Sequence, residues 1–380
     1  MRIEVNVRSL RQTATASLTG LQNVLYDAAV RRQAINHSFP FPDRPTERLH
    51  GLAGIIRPSW HAFALGCAGL ALVLVAPGSL YANQITGLLN PHSFLADPAV
   101  EQYFISNING ESEAKDNNGF ITKVDQAGKI SAMKFIQGGQ AEVVLHAPKG
   151  IALVGQILYV ADLDTLRAFD KTSGRPVSQI SFTPFQQNGR SVSLVDVVYD
   201  GGASLYLSDT EANTVYRVDL ARQHAVSVFV HDQSLAGPSG LAIHPKTGHL
   251  IVASWHKGKI LEITMEGTIT ELVSNGFFSR RFNNLGGIDF DSYGNLYIAD
   301  STAGKVWRMR PDQKFDVIAE FLPSPAGIGV DRRNHLILVP YEYANAAEMN
   351  GLEAPASRGA AKKRDLSDYG LGWKKSTDQK

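Results

Sequence analysis

The chain has almost no cysteine. Of its 380 residues only Cys67 carries a thiol, and it lies inside an apolar run. Intramolecular disulfides, thiolate zinc sites and cysteine nucleophiles are therefore excluded for everything that follows it. The scarcity of cysteine does not identify a compartment, but it is compatible with an oxidising one.

The sequence also lacks an excess of charge. Lys and Arg number 37 against 36 Asp and Glu, so no sustained positive field is available to hold a phosphate backbone, and nucleic acid is not expected as a partner. No Gly-x-Gly pattern occurs in a strand-to-helix setting, and Gly-x-Ser-x-Gly is missing. Haem, flavin and zinc signatures are absent too, and no cofactor is assigned.

Only one long hydrophobic run is present, over 62–76, followed by Pro77 and ending in small residues at Ala82. This pattern predicts a signal peptide cleaved after Ala82, or an uncleaved membrane anchor, over 61–82. A buried helix of a soluble domain is the alternative. Eight arginines and four acids precede the run, and the first charge after it is Asp97. The predicted location is therefore periplasmic or extracellular, or membrane-anchored with the bulk of the chain outside.

The two ends of the chain show no folding pattern. Residues 1–60 are Arg-rich with only a weak helical period, and residues 353–380 are polar and aperiodic. Both are predicted to be disordered, because neither can bury enough apolar surface to offset the entropy of ordering.

Between these ends a unit of about 45 residues recurs six times. Each copy has a turn, a short apolar strand, a second turn, and a strand of the type Leu-Tyr-Val-Ala-Asp. The aligned positions are separated by 56, 47, 45, 46 and 40 residues and are Tyr103, Tyr159, Tyr206, Ile251, Tyr297 and Ile337. The spacing predicts an all-β, six-bladed β-propeller over 83–352, preceded by the N-terminal signal or anchor helix. The sixth copy is short, so we expect its blade to be completed by chain from near 83–89.

The repeat resembles the regucalcin/gluconolactonase propellers, and more loosely the NHL-repeat propellers. The resemblance covers about 90–353 and is carried by Asn90-Pro-His-Ser-Phe94, Asn118-Gly-Phe-Ile121, Ala147-Pro-Lys-Gly150 and the Tyr-Val-Ala-Asp strands. It implies a lactone hydrolase whose divalent cation sits at the top of the central channel, held by Glu, Asn and Asp at the starts of the innermost strands. A hard cation there would polarise the lactone carbonyl.

The chain departs from that pattern at the positions the resemblance identifies. His92 stands where the family has its metal-binding glutamate, and Ser239 where it has asparagine. The corresponding positions of the other units carry Lys149, Val195 followed by Asp196, Gly286 and Ala326. No metal ligand is therefore assigned, and a divalent cation is the weaker interpretation. His92 and Lys149 are the catalytic candidates, and Asp196 is expected either to serve the site or to pair with Lys149 across the channel.

Two further groups of residues have competing interpretations. Trp255 and Tyr341 follow the second strands of their units, where aromatic rings stack on flat ligands or fill gaps between blades. The candidate ligand-binding residues are His92, Lys149, Asp196, Ser239, Trp255 and Tyr341. Asp162, Asp209 and Asp300 recur at one strand end, and this regularity predicts structural turns rather than catalysis.

Three functions remain open from the sequence. The first is an extracytoplasmic propeller that binds a small molecule or a protein at its channel face, with the family metal site degenerate. The second is a diverged lactonase or ester hydrolase, with His92 as base and Lys149 stabilising the oxyanion. The third is a scaffold that assembles through its blade sides. A membrane partner is expected only through 62–82, if that segment is uncleaved.

Overall fold

Six antiparallel sheets of four strands each make up the part of the chain that the structure describes. The structure is a computed structural model and describes residues 84–186, 189–276 and 281–352. Within five of the sheets the strands follow one another in chain order. The predicted six-bladed β-propeller is confirmed over these residues.

The blades are numbered along the chain. Blade 1 is β2–β5, blade 2 is β6–β9, blade 3 is β10–β13, blade 4 is β14–β17, blade 5 is β18–β21, and blade 6 is β22–β24 with β1. In chain order the strands are β1 Gln84–Thr86, β2 Pro91–Asp97, β3 Gln102–Asn107, β4 Phe120–Asp125, β5 Ile130–Gln137, β6 Pro148–Val154, β7 Ile157–Asp162, β8 Thr165–Asp170, β9 Pro176–Ser181, β10 Leu194–Tyr199, β11 Ser204–Asp209, β12 Thr214–Asp219, β13 Ala225–His231, β14 Pro238–Ile243, β15 Leu250–Ser254, β16 Ile260–Ile263, β17 Ile269–Val273, β18 Leu285–Phe290, β19 Leu296–Asp300, β20 Lys305–Met309, β21 Phe315–Glu320, β22 Gly329–Asp331, β23 Leu336–Tyr341 and β24 Ala346–Gly351. Two short 3₁₀ helices, Thr183–Phe185 and Gln233–Leu235, lie in connections between blades.

The ring is closed by strands from opposite ends of the propeller. β1 pairs antiparallel with β24, with Gln84 opposite Glu348 and Thr86 opposite Ala346. The expectation that chain near 83–89 completes the sixth blade is confirmed. This pairing supplies the outermost strand of blade 6, and Ile85 within it is buried against its neighbours.

The hydrophobic core lies between blades rather than at a single centre. Six large clusters of buried apolar side chains each join two neighbouring blades, and one of them unites Tyr159 of blade 2 with Val197 and Leu205 of blade 3. The second strand of each blade is buried on both faces for this reason, whereas the outer strand β9 is mostly exposed. The apolar Leu-Tyr-Val-Ala runs are the sequence counterpart of that burial.

The repeated aspartates act as structural turns, as predicted. The Asp162 carboxylate accepts hydrogen bonds from the backbone N–H groups of His146 and Ala147, at 2.8–3.1 Å. Asp300 accepts in the same way from the N–H groups of Asn283 and Ala303. Each carboxylate ties the end of a second strand to a nearby loop.

The predictions for residues 1–82 and 353–380 lie outside the described residues. These predictions are the disordered extension, the signal peptide or anchor helix, and the disordered tail. Within the described ranges no helix is long and apolar enough to cross a membrane.

Ring closure through β1 can be tested at Ile85. Replacing Ile85 by Ala should lower the free energy of unfolding by roughly 2–5 kcal/mol, because a buried branched side chain leaves a cavity in the seam between blades 6 and 1. Thr86→Ala on the exposed side of β1 is the matched control and should stay within about 0.5 kcal/mol. Denaturant unfolding of both variants measures this, and equal effects would contradict the closure.

Candidate functional site

Each innermost strand is interrupted near its start by the same irregularity. One extra residue is inserted relative to the second strand, which is a β-bulge. In five blades the shift falls between Pro91 and Phe94, Pro148 and Ile151, Leu194 and Val197, Pro238 and Leu241, and Leu285 and Ile288. Blade 6 has the same offset, since Pro325 bridges to Tyr341 and Gly329 pairs with Leu338.

Crowding around the central axis explains why glycine recurs in these bulges. A Cβ added to Gly150 would lie 2.5 Å from the Asp196 Cα of the next blade, and one added to Gly240 would lie 2.3 Å from the Gly286 carbonyl oxygen. Neighbouring backbones approach so closely that no side chain fits at either position. The residue before each of these glycines, Lys149 or Ser239, lines the channel mouth.

A cavity of about 260 Å³ opens at this mouth. The predicted residues His92, Lys149, Asp196, Ser239 and Trp255 all lie in its wall. The rest of the wall comes from the innermost strands and the loops around them: Ile108, Ser112, Glu113, Ser193, Val195, Thr210, Glu211, Gly240, Gly286, Gly287, Ser301, Ser324, Ala326, Gly327, Glu342 and Tyr343. The structure thus brings five of the six predicted residues to one site.

Tyr341 is the exception. It is buried in the cluster between blades 5 and 6, and its hydroxyl donates to Glu348 Oε2 at 2.9 Å. The prediction that placed Tyr341 at the ligand site does not match this location, because Tyr341 still belongs to β23 and pairs with Ala346. Tyr343, two residues later in the loop, lines the cavity instead.

Serines in the second strands hold the bulges in place. Ser106 Oγ accepts from the Ser93 backbone N–H at 2.9 Å and donates to the Lys149 carbonyl oxygen at 2.6 Å. Ser208 of blade 3 repeats the arrangement, accepting from the Asp196 N–H and donating to the Ser239 carbonyl. Each hydroxyl therefore couples the bulge of its own blade to that of a neighbour. The sequence analysis missed this role, although both serines directly precede the last residue of their strands.

His92 lines the cavity as a neutral imidazole. Burial and, to a smaller extent, the Lys149 ammonium together lower its pKa to about 3. Within the described part of the chain its buried Nδ1 has no hydrogen-bond partner. A nitrogen of such low basicity accepts a proton poorly near neutral pH, so the geometry gives a general-base role little support.

Lys149 is buried, and its ammonium is held by a loop of blade 1. Nζ lies 2.6 Å from Glu113 Oε1 and 3.3 Å from Ser193 Oγ, and that hydroxyl also donates to Glu113 Oε1 at 3.0 Å. The suggested pairing of Lys149 with Asp196 is therefore corrected, since Glu113 is the carboxylate in contact. Glu113 has no motif around it, and only the folded chain brings it to the cavity.

Asp196 occupies the position that glycine fills in most other blades. Its Oδ1 accepts from the Val197 N–H and its Oδ2 from the Leu241 N–H of blade 4, both at 2.8 Å. Burial raises the pKa of this carboxyl to about 7, and the two backbone hydrogen bonds oppose that rise. Asp196 thus joins blades 3 and 4 and presents a carboxyl whose charge changes near neutrality.

Glu342 is a second acidic group that the sequence analysis did not single out. It lines the cavity beside Tyr343, and burial raises its pKa while the Lys149 charge lowers it. Its one signal in the sequence is its position directly after the candidate Tyr341.

The donor set does not fit the divalent cation that the family resemblance implies. One of the equivalent channel positions holds an ammonium group, and both oxygens of Asp196 accept backbone hydrogen bonds. Across the described ranges, no group of three or more His, Cys, Asp or Glu side chains is placed to hold a metal ion. Hard cations need several free oxygen ligands, so no chemical step is derived through a metal.

Comparison with known proteins identifies the fold. No family model and no curated protein sequence matches the chain. Among solved structures, a streptogramin B lyase superposes with a TM-score of 0.50 at 11% identity, covering 70% of this chain and 96% of the lyase. A protein described as a candidate gluconolactonase superposes with a TM-score of 0.51 at 16% identity, covering 73% of this chain and 97% of its own.

The chain shares the propeller fold of these proteins. The resemblance to gluconolactonase-type propellers is confirmed at this level, since identities of 11% and 16% show the fold alone.

The unusual carboxyl of Asp196 yields a pH prediction. Its pKa is raised in the folded chain, so its contribution favours folding below the ordinary value of 3.8 and is lost as pH rises towards about 7. A ¹³C-detected titration should give a midpoint near 7, and Asp196→Asn should flatten the fall in stability between about pH 4 and 7. The control is the exposed Asp312, whose pKa is lowered. A midpoint near 4 for Asp196 would contradict this assignment.

Proposed function

We propose that the protein binds a small organic ligand in the cavity at the channel mouth. The observation that carries the proposal is the convergence of His92, Lys149, Asp196 and Ser239, from four different blades, on one cavity of about 260 Å³. A volume of this order suits a metabolite-sized molecule. The bulge recurs in every blade, but the side chains at the bulges differ in chemistry. The cavity wall is therefore asymmetric, although the blades repeat around the ring.

The chemistry of the wall supports recognition of a polar ligand with a flat face. Ser239 offers a hydroxyl, His92 a neutral imidazole, and Lys149 an ammonium, while Trp255 and Tyr343 supply rings at the edge. Aromatic side chains present large contact surfaces to planar groups. A few polar groups set in a partly apolar wall are typical of binding sites for small molecules.

A diverged lactonase or ester hydrolase remains the alternative and would use the same cavity. Binding is favoured because His92 is a poor proton acceptor and the Lys149 ammonium is already engaged by Glu113. Lactone hydrolysis by the full chain that is lost in His92→Ala would replace the binding proposal with the hydrolase. Chelator-sensitive hydrolysis would do so as well.

We also propose that the propeller functions outside the cytoplasm. The support is the apolar run at 62–76 with its arginine-rich flank. Deleting 62–82 should leave the protein in the cytoplasmic fraction, whereas the full chain should be accessible to protease added to spheroplasts. Equal protease protection of both forms would contradict this location.

Filling the cavity tests the binding proposal. Val195 lies in the cavity wall, so Val195→Trp should abolish the binding of small aromatic fragments detected by ligand-observed NMR with the full chain. Val177→Trp is the matched control, because Val177 lies on the outer strand β9 and is 54% exposed. Both variants are first checked for an unchanged thermal unfolding transition. Fragment binding that survives Val195→Trp would place the ligand elsewhere and overturn the proposal.

A further inference from the structure

The buried ammonium of Lys149 must have an anionic partner. Its side chain is only 6% exposed, and an unpaired charge in such a position would cost several kcal/mol of desolvation. Glu113 Oε1 at 2.6 Å supplies the partner, and Ser193 Oγ lies within hydrogen-bond distance of both groups. Two donors, one charged and one neutral, therefore converge on a single carboxylate oxygen in the wall of the cavity.

The carboxylate that fills this position comes from a solvent-exposed side chain. Glu113 is 60% exposed and belongs to the connection 108–119 between β3 and β4, which contains no strand. Ile108 and Ser112 of the same connection also line the cavity. Glu113 thus reaches the cavity from its rim. Because its side chain is exposed, water can solvate the carboxylate once it leaves Lys149, so its release costs less free energy than the release of a buried carboxylate would.

The connection is anchored independently of Glu113. Lys115 Nζ lies 2.7 Å from Asp164 Oδ2 of blade 2. The Asn117 backbone N–H donates to His146 Nδ1 at 3.0 Å, and Asn117 Oδ1 accepts from the Leu145 N–H at 2.8 Å. These contacts can persist when the Glu113 side chain swings away, so exchanging its carboxylate for another requires no unfolding of the loop.

Two other acidic groups of the cavity, Asp196 and Glu342, are less suited to replace Glu113. Both oxygens of Asp196 accept backbone N–H groups that join two blades. Burial raises the pKa of Glu342, which favours its neutral form. Glu211 also lines the cavity, and its side chain is exposed in the connection after β11. An anion entering from solvent is a further partner that can reach the ammonium.

We propose that the ligand of this cavity carries a carboxylate, and that this carboxylate displaces Glu113 from the Lys149 ammonium and the Ser193 hydroxyl. The inference rests on the proposed function and names its ligand class. In the free protein, Glu113 neutralises the Lys149 charge, and it competes with the ligand carboxylate for this ammonium. The apparent affinity for the ligand is reduced by the fraction of molecules in which Glu113 is bound.

Benzoate and its neutral isostere benzamide provide the test, because both present a flat ring to Trp255 and Tyr343 and only benzoate carries the carboxylate. Binding to the full chain is measured by titration calorimetry. The wild type should prefer benzoate. Glu113→Gln should tighten benzoate binding by about tenfold, as expected if Glu113 occupies the site nine-tenths of the time, and should leave benzamide unaffected.

Two further variants complete the design. Glu111→Gln removes the same charge from the same exposed connection and should leave both affinities unchanged. Lys149→Met should abolish the preference for benzoate. Because Lys149 is buried, this variant is interpreted only with an unchanged thermal unfolding transition, and Glu113→Gln, at an exposed position, carries the test by itself.

The outcomes separate the two proposals. Unchanged or weaker benzoate binding in Glu113→Gln, or no benzoate binding to that variant, overturns the carboxylate inference. If benzamide binds as well as benzoate and Val195→Trp blocks both, the cavity is still a binding site and only the carboxylate inference fails. Benzoate binding that survives Val195→Trp contradicts both proposals.

Discussion

The close approach of six innermost strands around one axis is the constraint on which the rest of this structure depends. Backbones meet so tightly that Gly150 and Gly240 have no room for a Cβ. The bulges beside these glycines break the ladder at equivalent points of each blade, and serine hydroxyls join one bulge to the next. Side chains at the bulges therefore converge on the channel mouth as a direct consequence of the packing that closes the ring.

The same constraint gives the site its electrostatic character. Convergence places an ammonium, an imidazole and several carboxyls around one small cavity, and two of these carboxyls, Asp196 and Glu342, have pKa values raised by burial. Burial lowers the pKa of His92 and raises the pKa values of Asp196 and Glu342, which favours the neutral form of each. Lys149 is then the charged group that needs a counterion. Glu113 is that counterion, and its exposed carboxylate comes from a connection, whereas Lys149 lies on an innermost strand.

Much of the site could be predicted from the repeat, because equivalent positions of a repeated unit occupy equivalent places around an axis. The family resemblance pointed to His92 and Ser239, and the corresponding positions of the other units added Lys149 and Asp196. Tyr341 was misplaced because the pattern cannot tell where β23 ends and its loop begins, and a shift of two residues separates the core from the cavity. Glu113 and Glu342 lie in connections whose sequences carry no motif, so only their position in space reveals them.

By itself the sequence determined the number of blades, their order and the strand that closes the ring. These features follow from pairing between strands that are close together in the chain. The exception is the segment near 84–86, which precedes the first unit and pairs with the last strand of the short sixth unit. Only the tertiary structure decided which charges meet. The partner of Lys149 is 36 residues away and in another blade, and Asp196, whose pKa burial raises, lies against Gly150 of blade 2 and accepts from Leu241 of blade 4. Electrostatic interactions depend on distance and solvation, and neither is encoded in the spacing of residues along the chain.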